Sequence, residues 1–174
     1  MAKIVIYNIL RFVVLLVLQI AVLKNIGYYN IVAPFPYILI ILLLPIGFPN
    51  ILLYSLALLT GLSIDAFYDS LGVHAAACVA MAFFRIFFQN ITLEVDEKQS
   101  MDTPNWGNQG FKWFATYIVL STIIHHLVLF LLETFSFSNI LQTLSSALLS
   151  SLFTIVLIFL FSLLTYRGKK RFVN

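Results

Sequence analysis

The sequence predicts an all-α, polytopic membrane protein: a single integral-membrane domain built as a six-transmembrane-helix bundle. Three observations carry this. The 174-residue chain is 61% hydrophobic and 10% charged, with mean hydropathy +1.01, whereas soluble domains are roughly 25% charged. Its apolar residues fall into runs close to the ~20 needed to cross a roughly 30 Å hydrocarbon core. Its basic residues sit unevenly between the ends of those runs. A water-soluble fold could not bury this much apolar surface, so lipid must cover it. Runs and short loops leave no room for a soluble domain. Cys78 alone cannot make an internal disulfide, and a net charge of +3 is too small and scattered for nucleic-acid binding.

The first helix is expected at 4–23, interrupted by Arg11 and Gln19. No small-residue cleavage pattern follows before Lys24-Asn25, which favours an uncleaved span over a signal peptide. The second run, Ile31 to Phe48, is bracketed by Pro34, Pro36, Pro45 and Pro49, and prolines at both ends suit helix boundaries. A helix over 33–48 is short for a crossing, and tilting little, kinking at Pro45 and re-entering are all open to it. Pro49 and Asn50 start the third helix, 50–67. The fourth, 71–88, is rich in alanine, which permits close packing. A polar loop, 89–112, holds Glu94, Asp96, Glu97, Lys98 and Asp102. The fifth helix is expected at 113–132, within an apolar run that begins at Phe111, and the sixth at 140–166. In the sixth, Ser146/Ser150 and Ala147/Ser151 form a small-residue face.

Six crossings put both termini on one side. Lys3, Arg11, Arg85, Lys98, Lys112, Arg167, Lys169, Lys170 and Arg171 then gather at that side, and only Lys24 lies opposite. By the positive-inside rule the termini and the long loop are expected to be cytoplasmic. The terminal RGKKRFVN reads as an anchor attracted to anionic membrane lipid.

The stretch GLSIDAFYDSLGVHAAACVAMAFFR, Gly61 to Arg85, places Asp65, Asp69 and His74 where one apolar run ends and the next begins. Counted from Asn50, Asp65 lies about 22 Å up its helix, where an ionised carboxylate is costly unless it faces the bundle or water. Asp65 and Asp69 are four apart, on a helical stripe that Gly61 and Gly72 extend. One reading is structural: Asp69 or Ser70 caps the fourth helix, and Asp65 bonds backbone groups or His74. A second makes the junction a partner-coupling surface. A third makes it catalytic or metal-binding, but no HExxH or paired-Cys pattern supports this. His125 and His126 diverge by about 100° on their helix, so one ligand cannot easily take both; at least one is expected to hydrogen-bond inside the bundle. Arg85 and Arg11 are expected to snorkel at inner helix ends.

Gly61, Asp65, Gly72 and His74 in this stretch, with the polar loop after the fourth run, resemble the rod shape-determining protein MreD family. Asp69 departs from the small or polar residue expected of that family, so a role for Asp69 is less secure than one for Asp65. The resemblance implies a non-enzymatic scaffold without cofactor or metal, in the bacterial cytoplasmic (inner) membrane. It further implies binding of the single-span periplasmic protein MreC, in support of cell shape and peptidoglycan synthesis. A RodA-type glycosyltransferase, a penicillin-binding transpeptidase and MreB filaments would be the wider elongation (rod) complex. The fold implied is similar to the substrate-binding subunits of energy-coupling-factor transporters, which supplies the alternative function, binding of a vitamin or small solute. An intramembrane enzyme using Asp65, Asp69 and His74 is the third reading. Tyr68-Asp69 is similar to one half of an intramembrane aspartyl protease, but the second aspartate in a GxGD segment is absent. On the scaffold reading, Asp65→Asn or Gly72→Leu should weaken MreC co-purification, and the small-residue faces of the fourth and sixth helices are the expected interfaces.

Overall fold

The computed structural model describes residues 2–26, 32–135 and 139–164. Ile31, Tyr166 and the RGKKRFVN anchor fall outside the described residues. Among these residues the chain is helical and holds no strand. In order, the α-helices are α1 (Ala2–Ala21), α2 (Leu39–Leu42), α3 (Asn50–Tyr68), α4 (Val73–Thr92), α5 (Val95–Lys98), α6 (Trp106–Gln109), α7 (Phe111–Thr134) and α8 (Ile140–Leu164). Five segments are long and apolar enough to cross a membrane: Ile6–Ile26, Asn50–Tyr68, Val73–Thr92, Phe111–Thr134 and Ile140–Leu164. Helix α4 outruns the expected 71–88 by four residues, and the polar loop 89–112 is shortened from both sides. What remains of it is ordered by the capping box of Glu94 and Glu97 around α5 and by the Asn105 cap on α6.

The second run corrects the sequence expectation. No spanning-length helix covers 33–48. Instead a 3-10 turn, Pro36–Ile38, leads into the single turn of α2. Each residue that precedes a proline is kept out of the α region, and Phe35 accordingly takes φ −126°, ψ 57°. The helix ends at Leu42, three residues ahead of Pro45. Residues 34–42 are all buried, which meets the rule that irregular backbone at membrane depth must be enclosed by protein.

Side chains from the long helices satisfy this segment at both ends. At its start, Gln19 Nε2 donates to the Pro34 carbonyl at 3.0 Å. The Ala33 and Phe35 N–H groups donate to Ser150 Oγ (3.1 Å) and Thr154 Oγ1 (3.0 Å) of α8. At its finish, where a helix end leaves carbonyls without partners, those of Leu42, Leu43, Leu44 and Pro45 find side-chain donors. Tyr117 Oη reaches Leu42 at 2.9 Å and Arg11 Nη1 reaches Leu43 at 2.8 Å. Arg85 Nη2 reaches both Leu44 and Pro45 at 2.8 Å. The Ile46 and Gly47 N–H groups then donate to Asp102 and Ser100 in the loop. Arg85 therefore does not snorkel: it is 1% exposed, because a guanidinium among orphan carbonyls serves as their cap. Arg11 is half-buried by the same task.

The small-residue faces also differ from expectation. Ala75, Ala77 and Ala82 of α4, and Ser146, Ala147, Ser150 and Ser151 of α8, are buried within this chain rather than presented to a partner. The closest approach is between α3 and α4. A Cβ on Gly61 would stand 2.3 Å from Ala75 Cα and 2.5 Å from its nitrogen, so no larger residue fits this crossing.

Candidate functional site

The α3–α4 hairpin is tied by Asp65. Its Oδ1 accepts from the Ser70 hydroxyl at 2.6 Å and the His74 N–H at 2.9 Å, and its Oδ2 accepts from the Ala75 N–H at 3.0 Å. His74 and Ala75 are the second and third residues of α4, whose N-terminal N–H groups have no partner in their own helix. Asp65 thus supplies from α3 what an N-cap side chain ordinarily supplies from the preceding residue. The residue in that position is Gly72, with φ +80° and no side chain to offer. Asp65 also works through its backbone: its carbonyl accepts from the N–H of Asp69 and, at 3.3 Å, of Ser70. The acid is 5% exposed and fully engaged by donors.

The expected roles within the junction are therefore redistributed. Ser70 and Asp69 do not cap α4; Ser70 donates to Asp65. Asp69 ends α3 in the left-handed region at φ 54° and is exposed. The His74 ring does not hydrogen-bond Asp65, since Nδ1 lies 3.6 Å from Oδ1, beyond bonding range. The backbone N–H of His74 makes that bond instead. The same end of α3 is capped from the 3-10 turn that follows α1: Lys24 Nζ donates to the Phe67 carbonyl and lies over the Tyr68 ring, 5.4 Å from its centroid.

The three histidines meet around the broken segment. The His74 ring packs against Phe35 (5.3 Å between centroids), Tyr37 (6.1 Å, stacked) and Tyr68 (5.0 Å). His125 Nε2 bonds the Tyr37 hydroxyl at 2.9 Å, and the Cys78 thiol lies 3.8 Å from the same oxygen. His126 Nδ1 lies 2.8 Å from the Thr122 carbonyl, and a carbonyl only accepts, so Nδ1 carries a proton. Its Nε2 stands 3.1 Å from Thr154 Oγ1, the oxygen that also receives the Phe35 N–H. The adjacent histidines thus point at different partners, as their helical angle requires.

This arrangement ties elements together; it does not present an acid, base or nucleophile to an open cleft. The three acceptor contacts of Asp65 are spent on the hairpin, and aromatic rings fill the space beside His74. Among the described residues no group of three His, Cys, Asp or Glu side chains is placed to hold a metal ion. The structure joins Gly61, Asp65, Gly72 and His74 in one hairpin, and links His125 to His74 through Tyr37. Arg85 stands apart, on the Leu44 and Pro45 carbonyls. Sequence reasoning did not find Tyr37 or Phe35, and it read Tyr68 only beside Asp69. The one signal was Gln19, a polar break in an apolar run, whose amide also donates to Tyr68 Oη at 2.8 Å. Comparison with protein-family models, with curated proteins and with solved structures finds no match to this chain.

Proposed function

We propose that this protein is a non-enzymatic scaffold of the MreD type in the bacterial cytoplasmic membrane, with the α3–α4 hairpin shaped to couple to a single-span periplasmic partner of the MreC type. The observation that carries the proposal is the saturated Asp65. A costly buried acid is spent on a hairpin's geometry, with Gly61 allowing the two helices to touch. That is the work of an element whose shape matters to something outside it. On this reading the strut of residues 32–48 counts as the second of six crossings, although only five helices have spanning length. Its start is bonded to Gln19, near the end of α1, and to Ser150 and Thr154 partway along α8, and its finish meets the loop after α4; the even count it would give keeps the basic residues on one side. Both termini and the loop after α4 then face the cytoplasm, where the basic residues gather. The wider rod complex of glycosyltransferase, transpeptidase and MreB would be reached through the MreC-like partner.

The transporter-subunit alternative, with its likeness to energy-coupling-factor subunits, requires a polar cavity beside Asp65. The rings of Phe35, Tyr37 and Tyr68 around His74 speak for the scaffold instead. The test is co-purification from detergent with an MreC-like protein, using wild type, Asp65→Asn and Gly72→Leu, each checked for monodispersity. Several-fold lower recovery with monodisperse variants is expected. Unchanged recovery with both variants would contradict a coupling role for the hairpin.

A further inference from the structure

Between α1 and α8, on the side of the bundle where α1 begins, lies a groove of about 490 Å³. Its walls are the α1 face from Tyr7 to Leu18 and the α8 face from Ile158 to Leu164, and its floor is Leu39 and Leu43 of the strut. Residues 103–106 of the polar loop close it at one end. We propose that this groove is a binding site for an anionic membrane lipid, with an acyl chain along α1 and the headgroup at Arg11. The inference is independent of the scaffold reading and needs only that the chain is embedded in a bilayer.

Three features select this occupant. First is length: Tyr7 to Leu18 spans about 17 Å of helix, roughly half of a 30 Å hydrocarbon core. Beyond that the way is shut, because Ser150 and Thr154 of α8 bond directly to Ala33 and Phe35 of the strut. A partner's transmembrane helix would need the full depth, whereas a lipid occupies a single leaflet. Second is charge: Arg11 lines the groove and no carboxylate does. One Arg11 nitrogen donates to Leu43 and the guanidinium lies 5.1 Å from the Tyr7 ring centroid, so neither contact neutralises it. Third is polarity: Thr103 and Asn105 stand at the closed end, and besides Tyr7, Arg11 and Ser162 the rest of the lining is apolar, as a headgroup above a chain requires.

Trp106 lines the groove and Trp113 does not, and they are the two tryptophans of the chain. The experiment uses the full-length Trp113→Phe protein in phosphatidylcholine nanodiscs, with brominated phosphatidylglycerol as quencher of Trp106 fluorescence. Quenching should be reversed by unlabelled phosphatidylglycerol and not by added phosphatidylcholine. Arg11→Gln should weaken that competition about five-fold, the worth of one basic residue at an anionic surface. Because Arg11 also caps Leu43, a second variant is needed: Val14→Phe fills the groove from an exposed position on α1 and should lower quenching with the fold intact. Equal displacement by phosphatidylcholine would overturn the proposal. So would quenching indifferent to both variants, or a groove protected by a co-purifying single-span protein and not by lipid.

Discussion

Replacing Asp65 by asparagine tests the hairpin with the smallest change in shape. The carboxylate takes three hydrogen bonds, from the Ser70 hydroxyl and the His74 and Ala75 N–H groups. Asparagine keeps one oxygen, which can stay on Ser70 and His74. Its amide nitrogen then faces the Ala75 N–H, donor against donor. An unsatisfied buried N–H costs about 1–3 kcal/mol, and the surviving bonds lose the added strength of a charged acceptor. Together the change should destabilise the protein by about 2–4 kcal/mol, more than the ~1 kcal/mol typical of a lost N-cap. Unfolding of the purified protein in detergent measures this, with Ser63→Ala as control, since the Ser63 hydroxyl bonds locally to the Leu59 carbonyl. Amide exchange at His74 and Ala75 should accelerate in the same variant. A loss within about 0.5 kcal/mol of the control, the ordinary range for an inconsequential substitution, would refute the capping argument.

Further substitutions probe the other contacts. Gly61→Ala puts a methyl group 2.3 Å from Ala75 Cα. It should cost about 3 kcal/mol or more by overpacking, and cysteine cross-linking between α3 and α4 should report their separation. Arg85→Met strands the Leu44 and Pro45 carbonyls and should cost about 2–5 kcal/mol, seen as earlier thermal aggregation, with Arg85→Lys recovering part of the loss. Tyr37→Phe removes the phenol that bonds the buried His125 and should cost about 1–3 kcal/mol, with a shift of the His125 imidazole resonances but no loss of assembly.

The long helices were legible because hydropathy and length suffice to announce a lipid-facing span. Asn50 after Pro49 marked the start of α3, whereas α4 runs four residues into the stretch that reads as polar loop. That Gly61, Asp65, Gly72 and His74 belong to one junction was legible too, since acids and glycines amid apolar helix demand an account. Which residue caps α4 was not. Capping rules look just ahead of a helix, at Ser70 or Asp69, whereas the acceptor comes from nine residues before His74. The prolines announced that the second run was short but not where its freed carbonyls would go. Tyr117 meets Leu42 across 75 residues of sequence and Arg85 meets Leu44 across 41. Nothing local encodes such pairings. Arg85 read as a snorkelling residue for the same reason: helical periodicity places a side chain on a face without saying what lies opposite.

Whether the strut is a crossing decides on which side each terminus lies, and with it the orientation proposed for the hairpin and the groove. A reporter that fluoresces only in the cytoplasm, fused in turn to the N-terminus and the C-terminus of the full chain, tests it directly. Fluorescence from both fusions is the predicted result. Fluorescence from one alone would mean that the chain crosses an odd number of times, and the strut could not be a crossing.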